Sequence, residues 1–207
     1  MAGGGGWRVE FVKSCGSLGD FPGDGMPEAA LLGRSNAGKS SLLNAIAGQA
    51  KLARTSRTPG RTRLLNLFEV QYAAQRRLRL VDCPGYGYAR AGKQERERWG
   101  ELIETYLAQR ANLRLAVLLV DANVPPQALD GEACAWLRQR GVAVQVVATK
   151  CDRLSGNQRG LALRRLEAAL GTAPLAFSAV TPLGQAELRK AIETALTARA
   201  TPPTAGR

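Results

Sequence analysis

Eight residues constrain what this chain can fold into more than any others. They are Gly33-Arg34-Ser35-Asn36-Ala37-Gly38-Lys39-Ser40, a complete G-x-x-x-x-G-K-[ST] phosphate loop. The apolar run Ala29-Ala30-Leu31-Leu32 before it suits a buried strand, and Ser41 to Ala47 after it suits a helix. Glycine lets backbone wrap closely around a phosphate, and successive N–H groups at a helix N-terminus add fixed partial positive charge. Lys39 is then placed to reach the β- and γ-phosphates, and the Ser40 hydroxyl to sit on Mg²⁺. The competing reading is a glycine-rich turn with an incidental lysine. It must explain every fixed position falling between a strand and a helix. Residues 33–40 are expected to hold a nucleoside triphosphate.

The base preference is written elsewhere. Val142 to Ala148 is apolar and ends in Thr149-Lys150-Cys151-Asp152. A carboxylate there can accept from the N1–H and N2–H₂ of guanine, whereas adenine has no N1 donor and would leave it unpaired. A second strand end, Leu175 to Ala179, brings Phe177, Ser178 and Ala179, whose loop N–H groups could meet the guanine O6. Between these motifs, Leu78 to Val81 runs into Asp82-Cys83-Pro84-Gly85. Asp82 is expected to hold Mg²⁺ through water, and the Gly85 N–H to reach the γ-phosphate. Each short motif recurs by chance, but in this order, each after a hydrophobic run, they select GTP over ATP.

These words resemble one family, the EngB (YihA/YsxC) GTPases, bacterial factors for assembly of the large ribosomal subunit. The resemblance runs from about Glu10 to about Leu196 and rests on GRSNAGKSSLLNAI (33–46), LARTSRTPGRTR (52–63), DCPGYGYA (82–89), ERERW (95–99) and TKCD (149–152). It implies a Ras-like G domain, GTP or GDP as ligand, and the large ribosomal subunit or its precursor as partner. A link to cell division and septation is implied as well. Gly60, Arg61, Thr62, Arg63 and Leu64 are assigned to the nucleotide, with Thr62 a Mg²⁺ ligand only in the GTP state. Lys39, Thr62 and Gly85 are the residues expected to act on the γ-phosphate. Two positions depart from the family: Arg63 stands where Gln is usual, and Asn123 where Arg is usual. Both are read as tuning surface or switch contacts.

Composition bounds the remainder. A chain of 207 residues can bury one α/β core rather than two. No apolar run approaches the roughly 20 residues of a membrane span, and the glycine-rich start lacks the pattern of a signal peptide. Four scattered cysteines, two inside nucleotide motifs, suggest reduced thiols of a cytoplasmic protein. The absence of histidine excludes histidine acid–base chemistry. We expect a monomer with no membrane partner. The net charge of +12 is concentrated in Lys51, Arg54, Arg57, Arg61 and Arg63, followed by Arg76, Arg77 and Arg79. A nucleotide accounts for only part of that excess, so structured RNA contacted through its phosphates is the expected polyanion. Aromatic residues, at 5%, are too few for base-stacking platforms.

Alternating apolar runs and helical patterns predict a mostly parallel sheet covered by helices on both faces. The expected organisation is a disordered arm over 1–9, a G domain over 10–198 and a flexible tail over 199–207. Phe11-Val12 is read as a short edge strand or arm. Leu64–Tyr72 and Leu78–Val81 read as a strand pair and Lys93–Arg110 as a helix. Strand–helix pairs follow to Thr197, the last strand over Pro174–Phe177. Every motif above falls at the C-terminal edge of the sheet, where such folds bind ligands.

Hydrolysis is less legible. Ras-like enzymes orient the attacking water with a Gln after the D-x-x-G glycine, and here that residue is Tyr86. A packing aromatic is the plainer reading of Tyr86, so intrinsic turnover is expected to be slow and raised by a partner or a cation. The resemblance to phosphate-loop GTPases implies that Asn36 could help coordinate K⁺; on the residue alone it could equally cap loop amides. The alternative function is a small-molecule kinase or another metabolic phosphate-loop enzyme. It requires a substrate acid or base that the sequence does not offer, and it clashes with Asp152 and Phe177-Ser178-Ala179.

Overall fold

The computed structural model describes residues 6–52, 64–73, 75–86 and 93–197, with 93–99 given as backbone alone. Gly60, Arg61, Thr62 and Arg63, residues 1–5 of the expected arm over 1–9, and the whole of the expected tail over 199–207 lie outside the described residues. The described residues form seven strands and five α-helices: β1 (Arg8–Cys15), β2 (Glu28–Gly33), α1 (Lys39–Ala47), β3 (Leu65–Tyr72), β4 (Arg76–Asp82), α2 (Lys93–Gln109), β5 (Leu113–Asp121), α3 (Ala128–Gln139), β6 (Ala143–Thr149), α4 (Gly156–Leu170), β7 (Leu175–Ala176) and α5 (Gln185–Thr197). The sheet order is β1-β3-β4-β2-β5-β6-β7. β2 pairs parallel with β4 and β5, as do β5 with β6 and β6 with β7. β3 runs against both its neighbours, β1 and β4. The fold is a phosphate-loop G domain, as its alternating pattern predicts.

The period of two in β2 explains why helices cover both faces. Every residue of β2 is buried. Ala29 and Leu31 enter a core with Leu42, Leu43 and Ile46 of α1 and Leu188, Ile192 and Leu196 of α5. Ala30 and Leu32 point the other way, toward Tyr106 and Leu107 of α2, Cys134 and Leu137 of α3, and Leu166 and Leu170 of α4. All four cysteines are buried free thiols.

The structure corrects the N-terminal reading. β1 is eight residues long and pairs with β3 from Arg8–Gln71 to Cys15–Leu65, far more than a strand around Phe11-Val12. A register shift between Phe11 and Lys13 breaks its alternation, which hides the strand from a period-two reading. Before it, Trp7 is buried and its indole N–H donates to Glu193 Oε1 at 2.6 Å, so the folded body begins before Glu10. β7, expected to run from Pro174 to Phe177, is two residues long.

A second correction concerns charge. Arg79, expected among the RNA-facing cations, is 1% exposed. It pairs with Asp24 at 2.7 Å and with Glu28 at 3.2 Å. Glu28 is itself fully buried, holds Arg110 at 2.7 Å, and accepts from the Tyr106 hydroxyl at 3.2 Å. Arg77 is engaged by Glu69 across the hairpin. Of this arginine group only Arg76 stands exposed without an acidic partner among the described ion pairs.

Candidate functional site

The phosphate loop joins β2 to α1 as the sequence predicts. Gly38, the last loop residue before α1, sits at φ 99°, a region closed to most side chains. Asn36, at φ 67°, takes the left-handed conformation that asparagine tolerates, and its side chain stands exposed. Its position is therefore explained by backbone shape alone, whatever else the side chain does. Arg34, Ser35 and Ser40 are half-buried around the loop, and Ala37 is buried beneath it.

Lys39 lies inside this cradle with no carboxylate bonded to it. Among the described residues its ammonium donates only to the Gly33 carbonyl, at 3.4 Å. Burial lowers its pKa, with nearby Asp82 opposing the shift. Asp82 ends β4, is 7% exposed, and its carboxyl is pushed up to about 6 by burial, against the pull of Lys39 and Asn66. Its Oδ1 is buried without a hydrogen-bond partner. Behind it, Asn66 accepts from the Ser14 hydroxyl at 2.7 Å. A desolvated carboxylate oxygen with nothing to accept is the orphan that a hydrated cation would satisfy, so the residues fit Mg²⁺. Cys83 and Pro84 are buried, and burial first of all raises the Cys83 thiol, so it contributes no thiolate. Gly85 packs so close that a Cβ there would stand 3.0 Å from both Lys39 Nζ and the Ser35 nitrogen, which accounts for glycine. Leu64, the one described residue of the 60–64 group, is exposed.

The base loop is built from the ends of β6 and β7. Thr149 donates its hydroxyl to the Ala37 carbonyl at 2.7 Å, fastening this loop to the phosphate loop. Lys150, left-handed at φ 59°, donates to the Asn36 carbonyl at 2.9 Å and to Asp121 at 2.6 Å. Cys151 is buried, and its N–H donates to the Phe177 carbonyl, tying the β6 and β7 ends together. Asp152 is exposed at the rim, and its Oδ1 accepts from the buried Ser178 hydroxyl at 2.8 Å. Ser178 Oγ in turn accepts from the Val180 and Thr181 N–H groups at 3.0 Å. Ala179 is half-buried beside them. The carboxylate is thus aimed by a side chain 26 residues away.

Three partners escape the sequence reading. Asp121 accepts from both the backbone and side chain of Asn123, at 2.9 and 3.0 Å, as well as from Lys150. Asn123 also donates to the Lys150 carbonyl at 3.1 Å, which places it against the base loop. Asp130 of α3 accepts from the Tyr86 hydroxyl at 2.9 Å. An aspartate closing a β-strand before an Asn is the only signal for the first two, and nothing local marks Asp130.

The fold and this site define a nucleotide-binding domain of the phosphate-loop class whose base loop suits guanine. Residues 28–150 match the family described as 50S ribosome-binding GTPase. Over 205 residues the chain is 46% identical to a probable GTP-binding protein EngB of Anaeromyxobacter sp. (strain Fw109-5), covering 95% of each chain. Over 189 residues it is 44% identical to that of Pelotomaculum thermopropionicum, covering 89% of this chain and 93% of the relative. The chain belongs to the EngB family of GTP-binding proteins and is a GTPase. The shared fold extends to a crystal structure of a probable GTP-binding protein engB (TM-score 0.67, 23% identity, 82% of this chain and 98% of that one). It extends also to Aquifex aeolicus Era bound to GDP·AlF4⁻ (TM-score 0.68, 21% identity, 84% and 58%). No helix of the described residues is long and apolar enough to cross a membrane.

Proposed function

We propose that this GTPase is a slow nucleotide-dependent switch that acts in assembly of the large ribosomal subunit. The observation that carries the switch is Asp82 Oδ1, a buried oxygen without a partner, one strand end away from a desolvated lysine. A metal-bound guanine nucleotide would supply both with partners, and the γ-phosphate of GTP would add one that GDP lacks. Ser40 would ligate Mg²⁺ directly, Asp82 through water, and Thr62 in the GTP state. Bound Mg²⁺ neutralises phosphate charge. Lys39 would meet the β- and γ-phosphates, the Gly85 N–H the γ-phosphate, and Asp152 the guanine edge. The amides of 33–40 and the loop of Phe177, Ser178 and Ala179 complete the pocket. No described side chain is placed to orient a water, since the Tyr86 hydroxyl is committed to Asp130. That supports slow intrinsic turnover, raised by a partner or by K⁺ held near Asn36.

The ribosomal partner is supported by the net charge of +12 and by the matching family's description. With Arg79 buried and Arg77 engaged, the phosphate-contacting surface we propose is Lys51, Arg54, Arg57, Arg61, Arg63 and Arg76. Sedimentation with ribosomal particles in GDP or a non-hydrolysable GTP analogue tests this reading. Association should fall steeply with salt, each phosphate contact adding roughly −0.9 to the log–log slope on the duplex-DNA scale. Replacing Arg54 and Arg57 with Gln should flatten the slope, more so in the GTP state, and leave GDP affinity nearly intact. Salt-independent association, or an unmoved double variant, refutes the RNA contact.

A further inference from the structure

Past the ends of β2 and β4 the chain continues to pair with itself. The Cys83 N–H donates to the Leu31 carbonyl, the Tyr86 N–H to the Gly33 carbonyl at 3.3 Å, and the Ser35 N–H to the Tyr86 carbonyl at 3.1 Å. Arg34 and Tyr86 thus form a parallel bridge between the phosphate loop and the residue after Gly85. This pairing lays Gly85 directly on Lys39 Nζ and Ser35. The ammonium is left with one long contact, to Gly33. Lys39 and the Gly85 N–H are the groups that would grip a γ-phosphate from two sides, and here Gly85 lies so near the ammonium that a Cβ on it would stand 3.0 Å from Nζ. A β-phosphate deeper in the loop makes no such demand.

The Tyr86 side chain gives the closed arrangement an anchor. Its hydroxyl donates to Asp130 Oδ1 at 2.9 Å, and Asp130 is 4% exposed. α3 is fixed by Cys134 and Leu137 in the core, so the bond ties Tyr86 to an element that does not follow the nucleotide. We propose that the Tyr86–Asp130 hydrogen bond is a latch that holds Gly85 against Lys39 and thereby sets the discrimination between GDP and GTP. GTP enters fully only by lifting Gly85 and Tyr86 off the loop, which breaks the Ser35–Tyr86 pairing and strains the latch. GDP leaves them in place. Tyr86 and Asp130 are positioning residues, since neither touches the reacting atoms. The latch rests on guanine-nucleotide binding alone and is independent of any ribosomal partner.

The test compares dissociation constants of the full-length protein for GDP and for a non-hydrolysable GTP analogue, with Mg²⁺, alongside the thermal midpoint. Tyr86→Phe deletes the donor and Asp130→Ala the acceptor. Each should lower the ratio Kd(GTP analogue)/Kd(GDP) about tenfold, the scale of one hydrogen bond to a charged group, with GDP affinity changed less than about twofold. Asp130→Asn keeps an oxygen in place and should restore a ratio near that of the unaltered chain. A structural role alone would lower the midpoint and weaken both nucleotides together, leaving the ratio unmoved. That result, or an unmoved ratio at an unmoved midpoint, overturns the latch. Failure of the unaltered chain to bind either nucleotide would instead overturn the nucleotide site itself, so the two failures are separable.

Discussion

The two ends of β2 handle charge in opposite ways. At its start, Glu28 is fully buried yet surrounded by Arg79, Arg110 and the Tyr106 hydroxyl, so every oxygen has a donor. About 16 Å further along the strand, at ~3.3 Å per residue, the charges of the phosphate loop lack partners. Lys39 has one weak contact and Asp82 Oδ1 has none. Both ends bury charge. At the first each carboxylate oxygen meets a donor, whereas at the second Lys39 and Asp82 ease each other only at a distance, which leaves room for a metal-bound polyphosphate. The difference separates ion pairs that hold the fold from charges that await a ligand.

The largest effect should come from unbalancing the satisfied end. Glu28→Gln removes the carboxylate shared by Arg110 and the 1% exposed Arg79, which keeps Asp24, so the loss should approach but not exceed the roughly 3–5 kcal/mol of a broken buried pair. Denaturant unfolding should show that loss, while GDP affinity of the folded fraction stays within about twofold. A larger effect on GDP than on unfolding would dissolve the contrast between the two ends.

Next in size is Asp152→Asn at the ligand end. It should forfeit the guanine donors, at about 1.5–3 kcal/mol for each charged hydrogen bond. An unliganded thermal midpoint should barely move, because asparagine keeps an oxygen for Ser178. Titration with GTP that finds full affinity would remove Asp152 from the base site.

Thr149→Val probes the joint between the base loop and the phosphate loop. It deletes the one hydroxyl donor that lies 2.7 Å from the Ala37 carbonyl and 3.1 Å from the Val120 carbonyl, in a buried setting. A loss of roughly 1–2 kcal/mol is expected, visible in both unfolding and GDP affinity since the bond fastens one loop to the other. If only one of the two quantities moves, the loops are not coupled through this hydroxyl.

The smallest effect concerns acid. The hydrogen bond from Arg79 holds the Asp24 carboxyl below its ordinary 3.8. A carboxyl depressed in the fold stabilises it at any pH above the unfolded value and loses that contribution as pH falls through the folded one. Asp24→Asn should therefore lower stability slightly at neutrality, where the contribution is fully present, and converge with the unaltered chain below about pH 4, which flattens the acid limb; the loss is small because the side chain is 42% exposed. A wild-type acid limb in the variant would show that Asp24 adds nothing to the satisfied cluster.

Much of the nucleotide site is legible in the amino-acid sequence, because its motifs are runs of neighbouring residues whose conformation is local. Gly38 turns the phosphate loop into α1 at φ 99°, and Lys150 is left-handed where it reaches back to Asn36. The β1 strand is not legible, since its register shift breaks the alternation that periodicity relies on. Arg79 is misread because an arginine in a basic run looks the same whether it meets solvent or two carboxylates.

Residue order alone dictates the phosphate loop, the aspartate proposed to read guanine and the alternation that makes a two-faced sheet, since each depends on residues adjacent in the chain or repeating at a short period. Which charges are paired, and which residues aim the others, emerges only once the chain is folded. Tyr86 and Asp130 are 44 residues apart, Arg79 and Glu28 51, and Arg110 and Glu28 82. Pairing over such separations has no signature in local spacing. It follows from strand order and register, which place β4 and β5 on either side of β2 and bring α2 and α3 beneath them.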